Sequence, residues 1–496
     1  MKASSFVVKN TALLTIGLFS GRILGFFIFR RLTGLEGPAG TGIWATSADI
    51  TSIFIVIANF GLGALITREI VKSRERTAGI FWAAVRIRLI LGTAAYAVVL
   101  AYVHLTGFAP LVREAILVMA LGIFIEAVSM ACDSVLQAHE KFQHQTMSQI
   151  VSAVVYFVLA WLWLDQGYGV MGVLWANVAS RAARLAIIVP LMLKSTGPWR
   201  RGAEPVSMGW LMRMAFPMFL ATTFGIIAFK IDTVMIMEML GESAAGIYGA
   251  GHRPMDLLMM LPYIFATALF PSLQRYRETG SQPLEDMARM ASRASRSIHL
   301  VILPAAVFCA LGAVPLMRLL ADRPEFAPAA DVFRIIVLGV VLNAANTIDN
   351  RVLMAMGREK VFLKLAIVVM ATNISLNLVL IPLWTWYGAA VATLISQIVS
   401  RFLHIHYVRS TGLRIPVLRG HLGGTVALLI AWIASSSLLQ RIAPDWGVGW
   451  THLPEHHWPA FLATCLVTSV FYAGAILILR VISAEDLRVI RDLRRS

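Results

Sequence analysis

The chain has 496 residues, of which 58% are hydrophobic and 14% charged, and its mean hydropathy is +0.74. Ordinary globular domains carry about 25% charged residues, so this composition excludes a disordered chain, a disulfide scaffold and an ordinary soluble enzyme. The formal charge of +16 is read as cationic cytoplasmic loops and a basic cavity, not as a nucleic-acid surface.

Apolar runs between charged or Pro/Gly breaks predict an all-α polytopic membrane protein of fourteen transmembrane helices. Each run is long enough for a span of about 20 residues. In chain order they fall near 7–30, 42–66, 80–104, 114–137, 146–164, 169–193, 211–240, 243–274, 297–320, 329–356, 361–383, 387–408, 420–440 and 458–480. The run after Lys9 lacks a small-residue cleavage site and reads as a retained first span. The polar stretch around 275–296 is helix-like and basic. Cys132, Cys309 and Cys465 each sit in an apolar run, so no disulfide framework is expected. Lys and Arg concentrate in alternate loops, 27 against 6. That asymmetry puts both termini in the cytoplasm and requires an even number of spans.

Three pairs of segments match in order along the chain. Leu136-to-Lys141 resembles Leu353-to-Lys360. Tyr168-Gly169 followed by Ala179-Ser180-Arg181 resembles Tyr387-Gly388 followed by Val399-Ser400-Arg401. Glu36-to-Trp44 resembles Glu242-to-Tyr248. Each match steps over six spans, an even number, so the repeats are parallel about an axis along the membrane normal. The expected organisation is a six-helix bundle over 1–200, a second over 201–415, two additional helices over 416–483 and a basic cytoplasmic tail over 484–496.

These segments also resemble a known family. The turn Glu36-to-Trp44, Asn59-to-Glu69, Phe229-to-Met235, Ala268-to-Pro271, Ala355-to-Arg358 and Asn373-to-Asn377 through Ile381-Pro382 together resemble the O-antigen flippases. These form the polysaccharide-transport branch of the multidrug/oligosaccharidyl-lipid/polysaccharide flippase superfamily. The resemblance covers about residues 1–410. It implies gradient-driven flipping of an undecaprenyl-diphosphate-linked oligosaccharide across the inner membrane, by alternating access, for O-antigen, capsule or exopolysaccharide. It implies lipid-linked substrate, membrane lipids and polysaccharide polymerase or assembly proteins as partners, and no nucleic acid. Two relatives compete. Lipid II flippases share fourteen spans and an Arg22-to-Phe26-like motif, but Ile28 stands near their second arginine. Drug/cation antiporters of the superfamily typically have twelve spans.

Charges at bilayer depth are costly and face a cavity or each other. Arg22 lies midway along the first span, Lys230 in the seventh and Arg253 in the eighth. Arginine and lysine in a low-dielectric cavity suit the phosphates of a lipid-linked sugar. The alternative for each is a structural ion pair or snorkelling, and Arg253 has Asp256 three residues on. Lys230 and Asp232 are two apart, so they point to nearly opposite sides of their helix. Asn59 and Asn346 are candidate sugar contacts; interhelical hydrogen bonding is the competing reading for the asparagines. Glu126 and Asp133 form one stripe in the fourth span with Gln137. With Asp49, Asp232 and Asp256 they are candidates for binding a coupling H+ or Na+. No further cofactor and no metal site is expected. His452, His456 and His457 read as a solvated loop, and the tail with Arg488, Arg491, Arg494 and Arg495 as a lipid-headgroup contact. No Walker motif, dinucleotide loop or nucleophile elbow is present, so no enzyme activity is expected.

Overall fold

The computed structural model describes residues 2–196, 199, 206–263, 265–266, 284–413, 417–442 and 458–479. The Ala268-to-Pro271 segment, the histidines at 452, 456 and 457 and the 484–496 tail lie outside the described residues. Among the described residues the chain is helical with short turns and contains no strand. The helices are α1 (Lys2–Asn59), α2 (Leu62–Lys72), α3 (Thr77–Leu105), α4 (Pro110–Ala120), α5 (Gly122–Ala138), α6 (Phe142–Asp165), α7 (Gly169–Thr196), α8 (Met208–Leu240) and α9 (Glu242–Leu258). They continue as α10 (Leu284–Leu311), α11 (Ala313–Leu320), α12 (Ala327–Ala355), α13 (Glu359–Arg409), α14 (Val417–Ile442) and α15 (Trp458–Ile478).

The helix boundaries differ from the sequence reading at several places: the second span breaks at Phe60 and Gly61 and the ninth at Gly312, and three further differences each have a local cause. The turn expected between 30 and 42 shrinks to one residue of α1. Gly37 takes φ 64° and ψ −163°, a conformation open to glycine and costly for other residues. Pro38 then opens the second span at a position where its missing N–H costs little. In α13 the expected break between 383 and 387 is a kink at Trp384 and Thr385, with Thr385 at φ 55°. The expected fourth span is two helices, α4 and α5, joined at Leu121. Nine described helices are long and apolar enough to cross a membrane, and α1 and α13 each hold two spans across their kinks. This is consistent with the expected fourteen.

The chain forms two compact units. The first comprises Met1–Ala250, Leu320–Phe326 and Met370–Ala389. The second comprises Gly251–Leu319, Ala327–Val369 and Ala390–Ser496. In the first unit α2 buries Leu62, Leu65, Ile66 and Ile70, an i, i+3, i+4, i+8 stripe. The stripe packs with Ile80 and Ile87 of α3, Val135 and Leu136 of α5, Ile188 of α7 and Leu211 of α8. In the second unit Met287 and Ala291 of α10 pack with Val352 and Leu353 of α12 and Leu365 and Val408 of α13. Lipid tails are as apolar as leucine, so in a bilayer such contacts stabilise through close packing rather than through loss of water.

One packing contact in the first unit is reciprocal. A Cβ on Gly42 would lie 1.9 Å from the Glu242 carbonyl oxygen, and a Cβ on Gly246 would lie 1.9 Å from the Pro38 carbonyl oxygen. Gly42 and Gly246 are separated by 204 positions, as are Pro38 and Glu242. Position i meets j and j meets i, as across a two-fold axis. The two copies of the Glu36/Glu242 repeat motif therefore cross backbone to backbone on the second half of α1 and the start of α9.

Candidate substrate and ion site

The i, i+2 spacing of Lys230 and Asp232 on α8 places them about 200° apart around the helix, and they have different partners. Lys230 Nζ lies 3.0 Å from Asp49 Oδ1 on α1. Both side chains are mostly buried. Asp232 faces a different set. The Tyr248 hydroxyl donates to its Oδ2 at 2.7 Å, and the Asn377 amide donates to its Oδ1 at 2.6 Å. The same amide nitrogen is 3.1 Å from Asn373 Oδ1, because i, i+4 spacing on α13 stacks the two asparagines on one face. Asp232, Tyr248, Asn373 and Asn377 are all buried. Asn377 Oδ1 is buried without a hydrogen-bond partner among the described residues. Two hydrogen-bond donors, a phenol O–H and an amide N–H, thus hold one buried carboxylate, and amide oxygens of Asn373 and Asn377 stand beside it.

A second cluster in the first unit gathers Glu126 and Asp133 of α5. Arg184 of α7 reaches both, donating from Nη2 to Asp133 Oδ2 at 2.6 Å and from Nη1 to Glu126 Oε1 at 3.3 Å. Arg181, one turn earlier, donates from Nε to Asn177 Oδ1 at 2.8 Å and lies 3.9 Å from Glu126. Gly122 makes room for it, since a Cβ there would come within 3.1 Å of Arg181 Cδ. Arg88 of α3 is fully buried, and none of its three guanidinium nitrogens has a hydrogen-bond partner among the described residues. Asp133 and Glu126 are the acids whose charges act on it. By formal charge, three arginines stand against two acids in this interior.

The second unit holds a matching pair. Arg401 Nη1 of α13 donates to Asp349 Oδ2 of α12 at 2.6 Å and to Asn346 Oδ1 at 3.2 Å. Asn346 in turn donates to Ser400 Oγ at 3.2 Å. His404 Nε2 lies 3.0 Å from Asn350 Oδ1. Arg253 is 3.9 Å from Asp256 on its own helix.

The structure therefore brings together Asp49 with Lys230, Glu126 with Asp133 through Arg184, and Arg253 with Asp256. It separates Lys230 from Asp232. Arg22 is exposed midway along the first span. Asn59 stands at the end of α1, where Phe60 and Gly61 both take positive φ, and its Oδ1 is buried without a partner among the described residues. Among the described residues no three His, Cys, Asp or Glu side chains cluster as a metal site. Sequence reasoning missed Arg88 and Arg184 and quoted Arg181, Arg401 and Tyr248 only as repeat markers. The available signal was the same one used for Arg22: an arginine well inside an apolar run.

Apolar spans with buried ion pairs and intramembrane carboxylates define a polytopic membrane transporter. Residues 7–277, more than half of the chain, match the family described as Polysaccharide biosynthesis protein, and the chain belongs to that family. Residues 217–379 also match the MatE family. The fold superposes on the lipid II flippase MurJ in its inward closed conformation with a TM-score of 0.74 at 15% identity, over 95% of this chain and 99% of that one. It superposes on an inward-facing multidrug resistance MATE family transporter of the MOP superfamily with a TM-score of 0.65 at 16% identity, over 81% and 98%. These matches show the fold. Two proteins of Haloferax volcanii are similar in sequence. One is a probable low-salt glycan biosynthesis flippase, 25% identical over 179 residues, 36% of this chain and 37% of that one. The other is the probable flippase AglR, 25% identical over 177 residues, 35% and 37%. The chain thus spans little more than a third of the length of the curated relatives it matches.

Proposed function

We propose that this chain flips an undecaprenyl-diphosphate-linked oligosaccharide across the inner membrane for surface-polysaccharide assembly. Both termini are in the cytoplasm, and two parallel six-helix halves alternate access to a midplane site. The observation that carries the reading is Arg22. An arginine midway along a span costs about +2.5 kcal/mol or more on insertion scales, and charges at that depth face a water-filled cavity or one another rather than lipid. A polar cavity holding a diphosphate removes that cost, because a guanidinium binds phosphate oxygens in bidentate fashion. The family match and the flippase relatives support the same substrate class.

The Asp232 cluster supplies the coupling ion site in this reading. Its acid is held by two neutral donors, Tyr248 and Asn377, so a proton or Na+ reaches the carboxylate when the hydroxyl and the amide turn their oxygens toward it. Lys230 is drawn from Asp49 toward the diphosphate when substrate is bound. Glu126 and Asp133 are engaged by Arg184, which makes them the weaker candidates for a coupling cation.

The test is flipping in proteoliposomes of a fluorescent lipid-diphosphate oligosaccharide, with and without an imposed ion gradient. Gradient-stimulated flipping supports the reading, and its absence with a correctly inserted protein overturns it. Lipid II is the second reading, supported by the near full-length superposition on the lipid II flippase. Preference for lipid II in the same assay would select it.

A further inference from the structure

The first unit carries a groove of about 360 Å3 between α3, α4 and α7, and none of the residues of the two clusters described above lines it. Its lining follows a regular ladder along one face of α4: Pro110, Arg113, Glu114, Leu117, Val118 and Leu121. These positions are i, i+3, i+4, i+7, i+8 and i+11, so they form one continuous strip. Its length is about 16 Å at 1.5 Å per residue. That matches one leaflet of a hydrocarbon core about 30 Å thick. The polarity changes along the strip. Arg113 and Glu114 stand at the end that opens the helix, and Leu117, Val118 and Leu121 line the deeper part. The opposing wall repeats the gradient, with His104 at the charged end of α3 and Tyr96 eight residues deeper. Trp175 of α7, 45% exposed, borders the same groove.

We infer that this groove seats one phospholipid with a zwitterionic amine headgroup, of the phosphatidylethanolamine type. A groove one leaflet long, charged at its mouth and apolar below, fits a single amphiphile standing along the bilayer normal. Charge complementarity selects the headgroup. Arg113 and Glu114 are adjacent and opposite in sign, which matches a phosphate followed by an ammonium. A purely anionic headgroup would meet the Glu114 carboxylate. Arg113 has capacity for the phosphate. Its Nη2 donates to the Phe108 carbonyl at 3.1 Å, while its Nε is buried without a hydrogen-bond partner among the described residues. One of the two acyl chains lies against Leu117, Val118, Leu121 and the Tyr96 ring, which is itself packed 5.6 Å from Phe124, and the other stays in the bilayer.

The test is native mass spectrometry of the full-length protein in detergent, supplied separately with phosphatidylethanolamine and phosphatidylglycerol of matched chains. It reads lipid retention and does not depend on transport. The expected result is preferential retention of phosphatidylethanolamine, with an about tenfold loss in R113A, the order of one charge-assisted contact. Leu117→Trp, which fills the apolar part, gives a comparable loss. Arg113→Lys keeps the cation and retains the lipid, which separates loss of a charge from loss of fold. Equal or better retention of phosphatidylglycerol overturns the proposal. So does undiminished phosphatidylethanolamine binding in R113A and Leu117→Trp, or loss in Arg113→Lys as complete as in R113A.

Discussion

Asp349 accepts a 2.6 Å hydrogen bond from Arg401, and the corresponding spans of the first half hold the same arrangement, Asp133 accepting from Arg184 at 2.6 Å. In each half the acid stands on the fourth span and the arginine on the sixth. Each pair lies within its own compact unit and ties two spans that sequence alone leaves unconnected. A buried charge whose partner is removed is strongly destabilising, whereas replacing both partners is tolerated. Arg401→Ala or Asp349→Ala should each cost about 3–5 kcal/mol, read as a lowered unfolding midpoint in detergent. The Asp349→Asn, Arg401→Gln double variant should recover much of that loss. If the double variant is as unstable as the sum of the singles, the pair is not coupled.

Arg22→Ala should lower export of lipid-linked glycan by about tenfold or more, the loss expected for a bidentate phosphate contact. Protein abundance in the membrane should stay near normal. Arg22→Lys should keep part of the activity, since lysine offers the charge without the fork. Normal export by Arg22→Ala would remove the residue from substrate binding.

Asp232→Asn keeps the shape of the side chain and removes its charge. Flipping driven by an imposed cation or proton gradient should fall about tenfold or more, while substrate binding at equilibrium changes little. Asn377→Ala should have a smaller effect in the same direction. The measurement is initial flipping rate against ion concentration in proteoliposomes. An unchanged ion dependence in Asp232→Asn would place the coupling site elsewhere.

Gly42→Val and Gly246→Val test the crossing of the two repeat motifs. A Cβ at either position would meet a carbonyl oxygen at 1.9 Å, so the helices must separate. Overpacking of this kind costs about 1–3 kcal/mol or more. Disulfide trapping between cysteines placed at Ala39 and Ala245 should be efficient in the parent and fall sharply in either valine variant. Equal trapping in all three would mean that the crossing is not close in the membrane.

Much of the fold was legible because each span is a long apolar run, and the repeat was legible because its turns carry Gly, Tyr-Gly and Ser-Arg signatures. The one-residue turn at Gly37 was not legible. A glycine in Glu-Gly-Pro reads as the middle of a loop, and only the backbone shows that it carries the whole kink. At the site, the opposed facing of Lys230 and Asp232 followed from helical geometry, but their partners did not. Asp49, Tyr248 and Asn377 come from segments up to 181 and 145 positions away, and no local pattern encodes those distances. The stripe of Glu126 and Asp133 was visible, whereas the arginine that engages it was not. Arg184 sits on another span, and which spans adjoin is decided by packing.

The Gly42–Gly246 crossing has a mechanical meaning. Most helix contacts interlock through side chains, so rotating one helix on its neighbour forces rotamers to change and opens voids. Two glycine backbones present no such teeth. They can turn against each other while keeping the same atoms in contact, and the symmetry of the contact puts the turning point on the axis that relates the motifs. The crossing is therefore suited to serve as a pivot, the place where a rocking transporter keeps hold of itself while everything farther from the axis moves.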